Sequence, residues 1–144
     1  MDVSELRRRI LRALDDARKE AGARRVEVDA AAAAYATFLE QVAVPLLRQA
    51  QSVLRAERQA FAVHTPAGRA RLASEASPES YVEIALDTSG AAPQIIGRVS
   101  VARGRQGVVV DERPIGSGKP TAELGETDVA SFLVEAIPKL VLRP

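Results

Sequence analysis

The spacing of apolar positions changes twice along this chain. From residue 2 to residue 21, Val3, Leu6, Ile10, Leu14, Ala17 and Ala21 recur at three- and four-residue intervals, which stacks them on one face of a helix. Asp2 with Glu5 three residues later has the form of a capping box, and Glu5–Arg9 and Asp15–Lys19 are ion pairs in the favourable direction. Gly22 predicts the helix stop.

Asp29 predicts the cap of a second helix that runs to about residue 59. Its apolar face is wide: Tyr35, Leu39, Val42, Ala43, Leu46, Leu47, Ala50, Val53 and Leu54. A coiled-coil seam is narrower, so the width predicts a helix that touches two neighbours. Pro45 lies within this segment, removes one backbone donor and crowds the preceding turn, so it either kinks the helix or breaks it. Unbroken, a helix of about 30 residues is about 45 Å long. A compact domain of this size has a radius of gyration of roughly 14 to 15 Å, so the helix would outrun its own domain.

Near Phe61 the period shortens. Phe61 to Thr65 and Arg69 to Glu75 flank the turn Thr65-Pro66-Ala67-Gly68. Tyr81 to Asp87 alternates, with Val82, Ile84 and Leu86 on one face and Tyr81, Glu83, Ala85 and Asp87 on the other. Ile95 to Arg103 and Gly107 to Arg113 complete a five-stranded antiparallel meander. Pro114 to Gly125, rich in Gly and Pro, predicts a mobile linker. Val129, Phe132, Leu133, Ala136, Ile137, Leu140 and Val141 then form a helical stripe suited to cover the sheet, with Pro138 expected to kink or end it. The expected class is α+β: two N-terminal amphipathic helices, a meander and a C-terminal helix on the sheet. Residues 1–60 form a helical docking segment and 61–144 the sheet unit, within one compact whole.

Composition narrows the function. Formal net charge is +1, so no bulk field draws the chain to nucleic acid or an anionic membrane. The absence of cysteine removes disulfides, thiolate metal sites and cysteine nucleophiles. The start, Met1-Asp2-Val3-Ser4-Glu5, is acidic and polar, unlike a signal peptide. The most apolar stretch, Ala30 to Leu47, leans on alanine and holds Thr37, Glu40 and Gln41, which is weak for a membrane span. The expectation is a cytoplasmic protein.

Candidate chemistry is sparse. Gly116-Ser117-Gly118-Lys119-Pro120-Thr121 has a phosphate-loop flavour, but Arg113 stands at the first glycine position and Pro120 at the hydroxyl position. Asp87-Thr88-Ser89-Gly90 resembles the Asp-Thr-Gly of aspartic proteases over four residues, with Ser89 interrupting the tripeptide. His64 is the one histidine, too few nitrogens for zinc, and no nucleophile elbow accompanies it. Arg7, Arg8, Arg9 and Arg12 cluster early, and Arg69, Arg71, Arg98, Arg103 and Arg105 lie on or beside strands, interspersed with acids.

With no assembled catalytic set, no metal ligands and no cofactor motif, the residues favour a non-enzymatic interaction or assembly module. It would form a homo-oligomer, a dimer in the simplest case, or dock a partner protein. The interface would be Leu39, Val42, Leu46, Leu47, Val53 and Leu54. The alternative is a nucleic-acid-binding protein using Arg98, Arg103 and Arg105 together with the N-terminal arginines.

Overall fold

A computed structural model describes residues 1–141. Its first feature corrects the expectation above: one helix, not two, runs from Val3 to Ala56, and we call it α1. Asp2 caps it, accepting the Glu5 amide hydrogen bond at 2.8 Å. Gly22 sits within it, fully exposed, where glycine costs about 1 kcal/mol relative to alanine without stopping propagation through the Arg, Glu and Ala residues around it. Asp29 is a mid-helix residue, not a cap.

Pro45 neither breaks the helix nor leaves it regular. A single π-helical turn, Leu39–Ala43, precedes it, in which the Val44 amide donates to Leu39 O, five residues back. The wider turn absorbs the missing Pro45 donor and the bulk of its ring. At the far end Gln59 N–H donates to Leu54 O at 2.8 Å, a Schellman closure with Arg58 in the left-handed region at φ 61°.

Five strands follow: β1 (Phe61–His64), β2 (Ala70–Ser74), β3 (Tyr81–Asp87), β4 (Gln94–Ala102) and β5 (Val108–Pro114). They pair antiparallel in sequence order, so β1 and β5 are the edges. The register places Ala70 and Leu72 of β2, Val82, Ile84 and Leu86 of β3, and Ile95, Gly97 and Val99 of β4 on one face. Leu72, Val82 and Ile84 have no exposed surface, which is the outcome their alternation implies.

That face carries the core. The second half of α1 lies across it through Tyr35, Phe38, Ala43, Leu47 and Leu54. The Tyr35 hydroxyl donates to Gly68 O at 2.8 Å and lies 3.3 Å from Ile84 O, tying helix to sheet, and burial pushes its phenol up to about 12. The C-terminal helix α2 (Glu126–Val141) covers the rest with Val129, Phe132, Leu133, Ala136 and Leu140, and continues through Pro138. Gly97 exists to admit Phe132, since a Cβ there would stand 2.5 Å from the ring.

Pro114 to Gly125 is not a loose linker. Ile115 and Thr121 are buried in short 3₁₀ turns, Leu124 is buried in the extended residue that follows the second, and Asp128 accepts from Lys119 Nζ at 3.1 Å and from Gly125 N at 3.0 Å. The glycines serve tight backbone turns: Gly116 has φ 74°, and a Cβ on it would lie 2.3 Å from Leu124. The last three residues of the sheet unit expected at 61–144 lie outside the described residues.

Candidate interaction surface

At about 1.5 Å per residue, α1 is about 80 Å long, well beyond the sheet it packs on. Contact with the body reaches back to Arg24, whose guanidinium donates to Thr88 O at 2.8 Å and Gly90 O at 2.9 Å in the β3–β4 loop. Residues 3–23 form an arm that no other described element covers. Its apolar stripe is open to solvent: Val3 is 83% exposed, Leu6 49%, Ile10 49% and Leu14 46%, with Leu11 beside them at 54%. Ion pairs Glu5–Arg9 at 3.2 Å and Asp15–Lys19 at 3.1 Å support the arm from within, each exposed and contributing only tenths of a kcal/mol.

The stripe keeps step with the buried part of the helix. Leu14, Ala21, Val28 and Tyr35 are each seven residues apart, as are Ile10, Ala17, Arg24, Ala31 and Phe38. A straight helix drifts only about 20° per heptad. Over the three heptads from Leu14 to Tyr35 and the four from Ile10 to Phe38 this adds up to about 60–80°, so the arm's apolar face lies within a quarter turn of the face that Tyr35 and Phe38 bury against the sheet.

The expected interface residues fall elsewhere. Leu47 and Leu54 are buried within the chain, and Leu39, Val42 and Leu46 are half-buried against the same core. Only Val53 of that set is open, at 65%. Folding of the helix onto its own sheet uses the surface that the sequence offered for association. The longest run of apolar side chains left open lies on the arm, in Val3, Leu6, Ile10 and Leu14.

The opposite face of the sheet is free of helices and carries a charge cluster. Glu83, on the central strand β3, has a side chain only 1% exposed. Arg71 Nε and Nη2 donate to its Oε2 at 2.7 and 2.6 Å, Arg69 Nη1 donates to Oε1 at 3.2 Å, and Arg98 Nη1 stands 3.8 Å from Oε1. Arg98 also donates from Nε to Glu112 at 2.7 Å, an arrangement that holds its guanidinium pKa above the usual arginine range. The Arg71 guanidinium stacks on Tyr81, 4.0 Å from the ring centroid. These arginines are thus committed to carboxylates and an aromatic ring. Arg103 and Arg105 lie at the β4–β5 hairpin, outside this cluster, so Arg98, Arg103 and Arg105 are not brought together.

The remaining candidates resolve into local structure. Asp87 accepts from the Ser89 hydroxyl at 2.6 Å and the Ser89 amide at 2.9 Å, which holds its carboxyl below the usual range and makes a turn of the protease-like tetrapeptide. His64 is exposed at the end of β1. Among the described residues no group of three or more His, Asp or Glu side chains is placed to hold a metal ion. A groove of about 730 Å³ between the β4–β5 hairpin and the end of α2 has an apolar floor of Val99, Val101, Val109 and Leu140, with Arg103 and Lys139 at its rim. By length and composition α1 is also apolar enough to cross a membrane, but that is weak evidence, because core helices pass the same test and this one lays Tyr35, Phe38 and Leu47 on its own sheet.

The fold is α+β: one long N-terminal helix, an antiparallel five-stranded sheet and a C-terminal helix. Comparison with protein families, with curated proteins and with solved structures finds no match for this chain.

Proposed function

We propose that this protein is a non-enzymatic interaction module whose N-terminal arm docks onto another protein surface. The observation that carries this reading is the arm itself: a capped, regular helix with an apolar stripe at Val3, Leu6, Ile10 and Leu14 that no other element among the described residues covers. Exposed apolar side chains set singly are ordinary, but a contiguous stripe along a projecting helix marks a contact surface. A helix with an i, i+3, i+4, i+7 set of anchors is the usual form in which one protein enters the groove of another or pairs with a second helix.

The sheet supports a scaffold role for the rest of the chain. Its inner face is filled by two helices, and the arginines of its outer face are paired with Glu83 and Glu112. Nucleic-acid binding through Arg98, Arg103 and Arg105 has less support, since Arg98 is held by Glu83 and Glu112.

Site-specific photocrosslinking in cells tests the proposal. A benzophenone amino acid at Ile10 should give a discrete adduct, whereas the same group at Arg8, on the far side of the arm, should not. Equal labelling from both positions, or from neither, refutes a docking face.

A further inference from the structure

We infer that the arm's apolar face is occupied by the arm of a second copy of this chain, packed antiparallel and centred near Arg12. This rests on the interaction-module reading and adds the identity and direction of the partner.

Two features of the arm select this arrangement. The first is steric. The body sits within a quarter turn of the stripe around α1 and begins at Arg24, where the 88–91 loop is held. Two arms joined face to face in parallel would bring two bodies into the same space. Turned antiparallel, each body lies beyond the tip of the other arm, and the two-fold axis closes the assembly at two copies.

The second is side-chain size. The arm's bulk is graded, with Val3 and Leu6 at the tip, Ile10 and Leu14 in the middle, and Ala17 and Ala21 at the base. Antiparallel pairing about residue 12 sets Val3 against the partner's Ala21, places Ile10 opposite the partner's Leu14, and brings the two Leu11 side chains together across the axis. Large then meets small at both ends of the seam, while Ile10 and Leu14 fill its middle, which gives the even filling that close packing requires. Parallel pairing would stack alanine on alanine at the base and leave a void.

Charge counts against an anionic lipid surface as occupant, because Arg7, Arg8, Arg9, Arg12, Arg18 and Lys19 are interspersed along the arm with Asp2, Glu5, Asp15, Asp16 and Glu20. The contact is about 30 Å long and one helix wide, which buries on the order of 1,000 Å² in total, the lower limit for a specific interface. The dimer is therefore concentration-dependent.

The absence of native cysteine makes the test clean. Light scattering of the full-length protein should show a mass that rises from one to two copies over the micromolar range, and Leu6→Glu with Leu14→Glu should weaken this at least tenfold while the circular dichroism spectrum is kept. With a short bis-maleimide, Leu11→Cys alone should crosslink to itself. Val3→Cys should crosslink to Ala21→Cys in a mixture but not to itself. Self-linking of Val3→Cys in preference to the mixed pair overturns the antiparallel order. A monomer at several hundred micromolar overturns the second copy as occupant, whether or not that monomer binds vesicles of phosphatidylglycerol. In that case a photocrosslinked adduct at Ile10 with a different protein would leave the interaction-module reading standing, and no adduct at all would remove both.

Discussion

Replacing Glu83 with Gln removes a charge that the outer face of the sheet is built around. The Glu83 carboxylate is out of water, with a side chain 1% exposed, and accepts from Arg71 at 2.7 and 2.6 Å and from Arg69 at 3.2 Å. Gln keeps the volume and one acceptor oxygen. It loses the negative charge and turns an amide NH₂ toward the guanidinium groups. Breaking one partner of a buried ion pair costs about 3–5 kcal/mol. Here the arginines are 27–38% exposed and can turn partly to water, so the cost falls to about 2–3 kcal/mol. For a chain of 144 residues that lowers the melting temperature by roughly 10 °C.

Urea unfolding followed by circular dichroism gives the measurement, with a lower midpoint and an unchanged slope expected. Arg98→Met is the control. Its nitrogen is 3.8 Å from Glu83 and its main partner is the exposed Glu112, so its loss should cost under about 1 kcal/mol. A Glu83→Gln protein within about 0.5 kcal/mol of the parent, the scatter of an ordinary surface substitution, would refute the argument that the carboxylate anchors this face.

Three other substitutions test the core and the helix end. Gly97→Ala forces a methyl group against Phe132, which is pinned beneath Arg113 5.4 Å from its ring centroid, and should cost about 1–3 kcal/mol in a urea titration, partly regained on adding Phe132→Leu. Tyr35→Phe should cost about 1 kcal/mol near neutral pH by removing the hydrogen bond to Gly68 O. Because the folded phenol is raised from 10.0 to about 12, its neutral form stabilises the fold below pH 10, and that share is lost as pH rises toward 12; an alkaline unfolding titration should show this step in the parent and not in the variant. Arg58→Gly relieves a left-handed backbone at φ 61° and should raise stability by about 0.5–1 kcal/mol.

The sheet was legible because strict alternation needs no partner to be read. Val82, Ile84 and Leu86 mark the inner face of β3, and Tyr81–Asp87 is the strand at the bounds its pattern implies. Glu83 was legible only as a residue of the polar face. Its burial depends on register, which sets Arg71 of β2 and Arg98 of β4 directly beside it. No local pattern carries that information, because the three residues are brought together by two separate strand pairings. In Pro114 to Gly125, glycine and proline content hid a tethered segment. The informative residues were Ile115 and Leu124, two apolar anchors bracketing the glycines.

The wide apolar band of the long helix implies two neighbours in sequence, but in the fold the band is two narrow stripes of one helix seen out of phase. Buried positions run Tyr35, Phe38, then Ala43, Leu47 and Leu54, with a step of five between Phe38 and Ala43 where a regular helix steps three or four. That step is the π-helical turn, and it adds the residue that rotates everything before it relative to everything after it. Superposed without the turn, the two stripes look like one broad surface in need of a second partner. Restored, each half of α1 points a narrow stripe at the same sheet, and Pro45 falls where the widened turn has already released its neighbours from regular pairing. The stripe carries back from Phe38 and Tyr35 through Val28 and Ala21 to Leu14 and Ile10, turning by about 60–80° on the way. The apolar surface left open on the arm is thus the continuation of the core stripe past the edge of the sheet, and its direction is set by the regular helix between Leu14 and Phe38.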